Sequence, residues 1–431
     1  AHDLLRETAY REVTPPKRVL LHRRIAQALE LVHADDLRPV SAAIADHYEH
    51  ASLTERAVQY HVKAAEAASD LFANDDAIRH YERAVELERT LPPSPRRDRT
   101  ELGICYAMSA PLNAQYGYAS KRVHDAVKRS NELALRLGED RVRLMSLVGL
   151  FSVLFVQGRT RESYDVGRRA LELSLDHPDV IGQAHFAVAG PATSLGHLME
   201  ALEHFAVVPD LTMDLPPALV GTRTEVHSQA WSAHALWLVG RRDDAVRTSE
   251  WAVARAREVD HPYSLAVALA YATMTAQFDE DRAAVLDLSE QTRQLCDRYS
   301  FAYYGEWAAI LGGWARGGPS GVDSVKRGLR GLDRQGAMAR RPYFLALLAD
   351  CLERSGRAHD AAAVLDSACS TATTHQDVWW LPEVLRRKAL AGPERTRAKT
   401  LGQAFRMAEE QGSRVLAERL LSTLEGAGPG R

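Results

Sequence analysis

The residue type in this sequence most able to do chemistry is histidine, and the first question is whether the spacing of the histidines would let it. His227 and His234 stand seven residues apart, which puts them on one helical face, and His47, His50 and His61 lie close together in the chain. Such groupings suit metal ligation or proton relay, but neither an HExxH helix nor a cysteine at ligand spacing accompanies them. Cys105, Cys296, Cys351 and Cys369 are scattered without a CxxC pair, which argues against a zinc knuckle or a disulfide framework and fits a reducing cytoplasm. No GxSxG turn presents a serine nucleophile, and no glycine-rich loop followed by Lys-Ser or Lys-Thr offers to cradle a phosphate. The acidic pairs Asp75-Asp76 and Asp243-Asp244 fall directly after turns, where carboxylates favour a helix N-terminus. These readings predict a chain with no catalytic centre, no metal and no cofactor of its own.

Recognition is the chemistry that the remaining pattern suits. Counting thirteen, six and three residues before the turn glycines Gly158, Gly196, Gly240 and Gly356 gives Met145, Ser152, Phe155; Gln183, Gly190, Thr193; His227, His234, Trp237; and Tyr343, Asp350, Glu353. A hairpin ending near Arg316 adds Tyr303, Glu306 and Trp314, and Phe186 lies on the second of these helices. The candidate binding residues are therefore Phe155, Phe186, His227, His234, Trp237, Tyr303, Glu306, Trp314, Tyr343 and Asp350. A face mixing aromatic rings, imidazoles and carboxylates suits a small molecule or a peptide. The competing reading is that these rings pack between hairpins and that tight curling fills the concave side. The basic runs Arg96-Arg97, Arg241-Arg242, Arg340-Arg341 and Arg386-Arg387-Lys388 read as solvated faces.

The elements that must position such a face are repeated helices. Turns at Gly158-Arg159, Gly240-Arg241 and Gly356-Arg357, with a weaker one at Gly196-His197, each follow an apolar-periodic helix and precede a second helix. Glycine suits the turn because a helix commonly ends on a left-handed residue. Five, nine and twelve residues after the turn stand Ala201, Phe205, Val208; Ala245, Ser249, Ala252; and Ala361, Leu365, Ala368, and Ala77, Tyr81, Ala84 repeat the spacing without a glycine turn. Steps of four and three put each set on one face. Ahead of the turn, Leu147, Leu150, Phe151, Leu154 and Leu345, Leu348, Ala349, Leu352 share the same offsets and form the opposing face. Proline-bearing stretches at residues 91–95, around Pro209 to Pro217 and at Gly317-Gly318-Pro319 are expected to be loops between hairpins.

This pattern resembles the tetratricopeptide family, whose unit is about 34 residues. The fold class expected is all-α, a tetratricopeptide-like superhelix of stacked antiparallel helix hairpins. The fit is looser than the family consensus, since Gly158 to Gly196 is 38 residues and Gly196 to Gly240 is 44. A second resemblance covers nearly the whole chain. The opening phrases, residues 1–10 and 21–30, look like the junction in STAND-type bacterial signalling ATPases where a winged helix gives way to a repeat tail. Asp46-His47-Tyr48-Glu49, Phe155-Val156-Gln157-Gly158-Arg159, residues 261–266, residues 341–349 and Trp379-Trp380-Leu381-Pro382-Glu383 are similar to phrases of those tails. Members include SARP-type and LuxR-type transcriptional regulators and cyclase-linked ATPases. The resemblance implies a junction over residues 1–35, repeats over 36–425 and a disordered tail over 426–431. It also implies that His2 and Asp3 belong to a nucleotide-sensor motif, with ATP or ADP held in a domain upstream of the chain.

Charge and length fit that picture. The 54 basic and 57 acidic residues nearly cancel to a formal charge of -3, with no long block of one sign, so direct nucleic-acid binding by this segment is not expected. No apolar run approaches the roughly 20 residues that cross a bilayer. The chain opens on Ala1, not methionine, and is expected to be part of a longer protein. The function expected is a regulatory sensor of a transcription factor, taking an inducer or a partner protein in its groove and controlling upstream ATPase and DNA-binding modules. The alternatives are a protein-binding or self-associating scaffold, and the tail of a cyclase-linked ATPase.

Overall fold

The computed structural model describes residues 10, 12–213 and 221–426, and among these it contains 21 α-helices and no strand. In order they are α1 Pro15–Val32, α2 Ser41–His50, α3 Thr54–Asp70, α4 Asn74–Thr90, α5 Pro95–Tyr116, α6 Lys121–Leu137, α7 Asp140–Val156, α8 Thr160–Leu173, α9 Ile181–Ser194, α10 Leu198–Thr212 and α11 Thr224–Leu238. Then follow α12 Arg242–Glu258, α13 Pro262–Phe278, α14 Arg282–Tyr299, α15 Ala302–Arg316, α16 Gly318–Gln335, α17 Arg341–Arg354, α18 Ala358–His375, α19 Leu381–Ala391, α20 Glu394–Glu410 and α21 Arg414–Gly426. The class is the all-α, tetratricopeptide-like one, built from antiparallel hairpins. The chain divides into two compact units, one of residues 1–112 and 132–138, the other of 113–131 and 139–431.

In the first unit α3 and α4 form a hairpin whose turn residue Phe72 has φ 55°, and the preceding turn uses Ser52 at 57°. Ala77, Tyr81 and Ala84 are buried at the predicted offsets. Tyr48 donates its hydroxyl to Glu30 at 2.7 Å, and Arg83 pairs with Glu49, tying α1 to α2 and α2 to α4.

In the second unit the turn glycines Gly158, Gly196, Gly240 and Gly356 all adopt positive φ. The small residues after them, among them Ala201, Ala245 and Ala361, are fully buried, so each second helix lies close on its first. The α13–α14 turn completes the same frame with Glu280 at φ 58°, and Val285, Ser289 and Thr292 are buried five, nine and twelve residues on. Two loop expectations are corrected. Pro209 lies inside α10, and Gly317-Gly318-Pro319 makes the turn within the α15–α16 hairpin and does not separate two hairpins. Positive φ at both glycines makes that tight turn, and Pro319 occupies the first turn of α16, where its missing N–H costs no hydrogen bond. Residues 91–94 do form a loop, as expected.

Proline inside α9 has a local consequence. Pro191 cannot donate to the carbonyl of Ala187 four residues back. The backbone of α8 approaches that carbonyl closely at Gly167, where an added Cβ would stand 2.3 Å from the Ala187 oxygen.

The second unit also closes on itself. The carbonyl of Val156, at the end of α7, accepts from the backbone N–H of Met338 at 2.7 Å and of Ala339 at 3.2 Å. One hairpin later, the carbonyl of Ser194 accepts from Val378 at 2.8 Å and Trp379 at 3.2 Å. His375 donates to the Gly158 carbonyl at 3.0 Å, and Arg419 donates to that of Phe278 at 2.9 Å. Carbonyls in the last turn of a helix lack intrahelical partners, and here residues of much later hairpins supply them. The inner face of the first helices is thereby enclosed.

Candidate functional site

The enclosed interior of the second unit centres on Arg340. This residue precedes α17 in the left-handed conformation, φ 61°, and is 1% exposed. Its backbone N–H donates to Asp377 Oδ2 at 2.7 Å, which fixes the turn. The guanidinium carbon stands 4.9 Å from the ring centres of both Trp231 and Tyr271, 5.4 Å from Trp307 and 5.7 Å from Trp379. Desolvated cation–π contacts of this kind contribute about 2 kcal/mol. The Nε and Nη2 nitrogens, which share one edge of the guanidinium, have no hydrogen-bond partner among the described residues. Trp231 Nε1 and Trp307 Nε1 are likewise unpartnered.

Arg340, Trp231 and Trp307 line a cavity of about 20 Å³, whose wall also includes Tyr118, Phe155, His227, Tyr271 and Tyr303. That volume holds about one water-sized occupant. Burial, reinforced by Arg340, pushes the His227 imidazole down to about 3, and His234 is pushed well down for the same reasons. Both rings are therefore neutral hydrogen-bonding aromatics. His227 Nε2 meets the Tyr271 hydroxyl at 3.3 Å, while His234 stacks on the Tyr271 ring at 5.0 Å and donates to its backbone carbonyl at 3.0 Å. Burial also pushes the Asp377 carboxyl up, against the pull of Arg340.

Most of the expected binding residues are buried, but they do not form one open wall. Phe155, His227 and Tyr303 line the cavity, and Phe186 packs on His227 at 4.9 Å. His234, Trp237 and Tyr343 are buried in an adjoining aromatic layer. There Trp237 donates to Asp279 at 2.8 Å, and the Tyr343 hydroxyl donates to Gln277 at 2.6 Å. Trp314 and Asp350 belong to a separate polar cluster: Trp314 Nε1 donates to Asp350 at 2.7 Å, and Asp350 pairs with Arg387 and Arg354. Burial raises the Asp350 carboxyl, but the two arginines outweigh it and hold the group below its usual value. Glu306, with its carboxyl pushed up by burial, stands 3.9 Å from Arg334. His2 and Asp3 lie outside the described residues.

Two of the basic runs are not solvated faces. Arg340 is buried as described, and Arg386 and Arg387 are mostly buried in pairs with Glu383 and Asp350. The residues that sequence reasoning missed are Trp231, Tyr271, Trp307, Trp379, Arg340 and Asp377. A signal for two of them was present. Trp231 and Tyr271 stand nine residues before Gly240 and Glu280, and that position shares a helical face with the thirteenth and the sixth.

Elsewhere in the second unit, a surface groove of about 610 Å³ runs between α12, α13 and α14, lined by Val246, Val253 and Leu288 with Glu250, Arg257 and Asp287. No group of three or more histidines, cysteines or carboxylates placed to hold a metal occurs among the described residues, and no described helix is long and apolar enough to cross a membrane.

No family model matches the chain. Over 450 aligned residues it is 24% identical to an uncharacterized protein of Rhizobium meliloti (strain 1021), covering 99% of this chain and 43% of that protein. The chain thus spans less than half the length of this curated relative. Among solved structures, the Rap protein complexed with Competence and Sporulation Factor is 13% identical, with a TM-score of 0.50 over 80% of this chain and 99% of that one. The Cut9–Hcn1 hetero-tetramer of the APC/C is 12% identical, with a TM-score of 0.39 over 99% and 95%. The likeness to Rap is one of fold.

Proposed function

We propose that the chain is the non-catalytic regulatory tail of a longer protein, a sensor that takes a small ligand inside its second unit and so biases the modules ahead of it. The observation that carries this reading is the Arg340 cavity, which in the closed form holds about one water-sized occupant and admits a metabolite only when the loops around Arg340 move apart. A buried cation with unpartnered N–H groups and no ion-pair partner among the described residues destabilises a fold unless something ligates it. Arg340 directly follows Ala339, whose N–H closes the unit on Val156, and Trp379 both stacks on Arg340 and closes the unit on Ser194. A metabolite that binds the opened form better than the closed one shifts the balance between them by its difference in affinity.

The longer protein we propose is a STAND-type signalling ATPase that regulates transcription, with His2 and Asp3 in its nucleotide sensor and ATP or ADP bound upstream. The phrases resembling repeat tails support this, and a curated relative more than twice as long as the chain supports the part of it that concerns length. A cyclase-linked ATPase is the variant of the same reading. A different reading, a protein-binding or self-associating scaffold, is favoured by the α12–α14 groove and by the exposed Val246, Trp251 and Leu286 near it.

A thermal-shift screen of the purified chain against small metabolites separates the two. The sensor reading expects a compound that raises the melting temperature in the wild type and fails to do so in Arg340→Met. No such compound, together with a partner whose binding is abolished by Val246→Asp, would establish the scaffold instead.

A further inference from the structure

The cavity around Arg340 is more selective than a general ligand pocket. Its unpartnered polar groups are the N–H donors of Arg340, Trp231 and Trp307 and the Tyr118 hydroxyl, which can also donate, so it offers hydrogen bonds to an acceptor. It carries one positive charge, because His227 and His234 beside it are neutral. Asp377, buried and within the electrostatic pull of Arg340, is the candidate counter-ion. Its Oδ2 is engaged by the Arg340 backbone N–H, it makes no ion pair with the guanidinium, and it is not part of the cavity wall. The cavity, at about 20 Å³, admits a single water-sized particle. The unpartnered Nε and Nη2 lie along one edge of the guanidinium, where charge-assisted N–H bonds to anions form.

We propose that this cavity binds one monovalent anion of halide size, held by the Arg340 Nε and Nη2 edge with the Trp231 indole N–H. The proposal rests on reading the interior of the second unit as a ligand site, and it names the ligand's class. Bound there, the anion neutralises the buried cation and stabilises the closed arrangement of the loops at 338–340 and 377–380. Ionic conditions then set how far the unit stays closed.

The test is thermal unfolding of the whole chain at constant ionic strength, with sodium bromide replacing sodium gluconate, whose anion is too large for the cavity. Wild type is expected to show a saturable rise of about 2–4 °C. Trp231→Phe, which keeps a ring and removes one donor, is expected to need about tenfold more bromide for half the rise. Arg340→Met is expected to show none, and should it fail to fold, the Trp231→Phe shift decides. Anomalous diffraction from bromide-grown crystals is expected to place a peak beside the Arg340 edge. Equal melting in bromide and gluconate, or a rise with formate but none with bromide, overturns the proposal. So does a bromide response that appears only in Asp377→Asn, since that would make Asp377 the counter-ion. If bromide binds but no metabolite shifts the protein, this site stands and the sensor reading fails. If a metabolite shift requires Arg340 and bromide has no effect, this proposal alone fails.

Discussion

At the scale of single residues, His227 shows how burial turns a group that looks catalytic into a structural one. Its imidazole is pushed down to about 3 because water is excluded and Arg340 stands near, so it is neutral in the folded chain across ordinary pH. In the unfolded chain the ring takes a proton near its usual value of about 6.5. The folded value is the lower one, so the unfolded state binds the proton first as the solution is acidified. The stability contributed by His227 is therefore present above about pH 6.5 and is lost as pH falls from there toward 3. His261, pushed down to about 4 by burial and then by Arg223, acts in the same sense. Urea unfolding from pH 7 to pH 5 is expected to show wild type losing about 2 kcal/mol more than His227→Gln. Equal losses in the two proteins would show that His227 protonates freely in the folded state.

At the scale of elements, turns were legible where glycine marked them and illegible where another residue held the same conformation, although the contact set Ala77, Tyr81 and Ala84 was legible from its spacing alone. Gly158, Gly196, Gly240 and Gly356 stand out because glycine is the residue that adopts the left-handed turn without strain. Glu280, Phe72 and Ser52 hold that conformation too, and nothing in their side chains announces it, so the α13–α14 hairpin was not found from the sequence. Proline misled in the opposite direction. Pro209, expected in a loop, sits within α10, and Pro191, on which no expectation rested, sits within α9 with its orphaned Ala187 carbonyl pressed against α8 at Gly167. That close approach makes Gly167 a test of the α8–α9 packing. In an isolated helix, Gly→Ala stabilises by up to about 1 kcal/mol. Here the added methyl meets a backbone carbonyl that cannot rotate away, so Gly167→Ala is expected to destabilise by about 1–3 kcal/mol. The sign of the change in the urea midpoint decides between the two outcomes.

At the scale of the second unit as a whole, periodicity revealed which residues face inward but not what lies opposite them. Phe155, His227 and Tyr303 were found from their offsets to a turn, whereas Arg340 and Trp379 sit in loops between hairpins, which carry no helical period. Their place in the cavity depends on closure between hairpins far apart in sequence. No local pattern encodes that closure, and it changes how the unit should unfold. A linear repeat stack is stabilised by nearest-neighbour contacts, so damage in one repeat is felt mainly by the next. His375, at the end of α18, instead donates to the carbonyl of Gly158, 217 residues away. His375→Ala removes one such bond, worth about 1 kcal/mol. If closure is cooperative, amide hydrogen exchange will quicken both around α18 and in residues 153–160, while α12 and α14, far from the cut in both directions, keep their protection. Quickening confined to α18 and its sequence neighbours would mean that the unit behaves as an open array and that the enclosure of the Arg340 cavity does not depend on this contact.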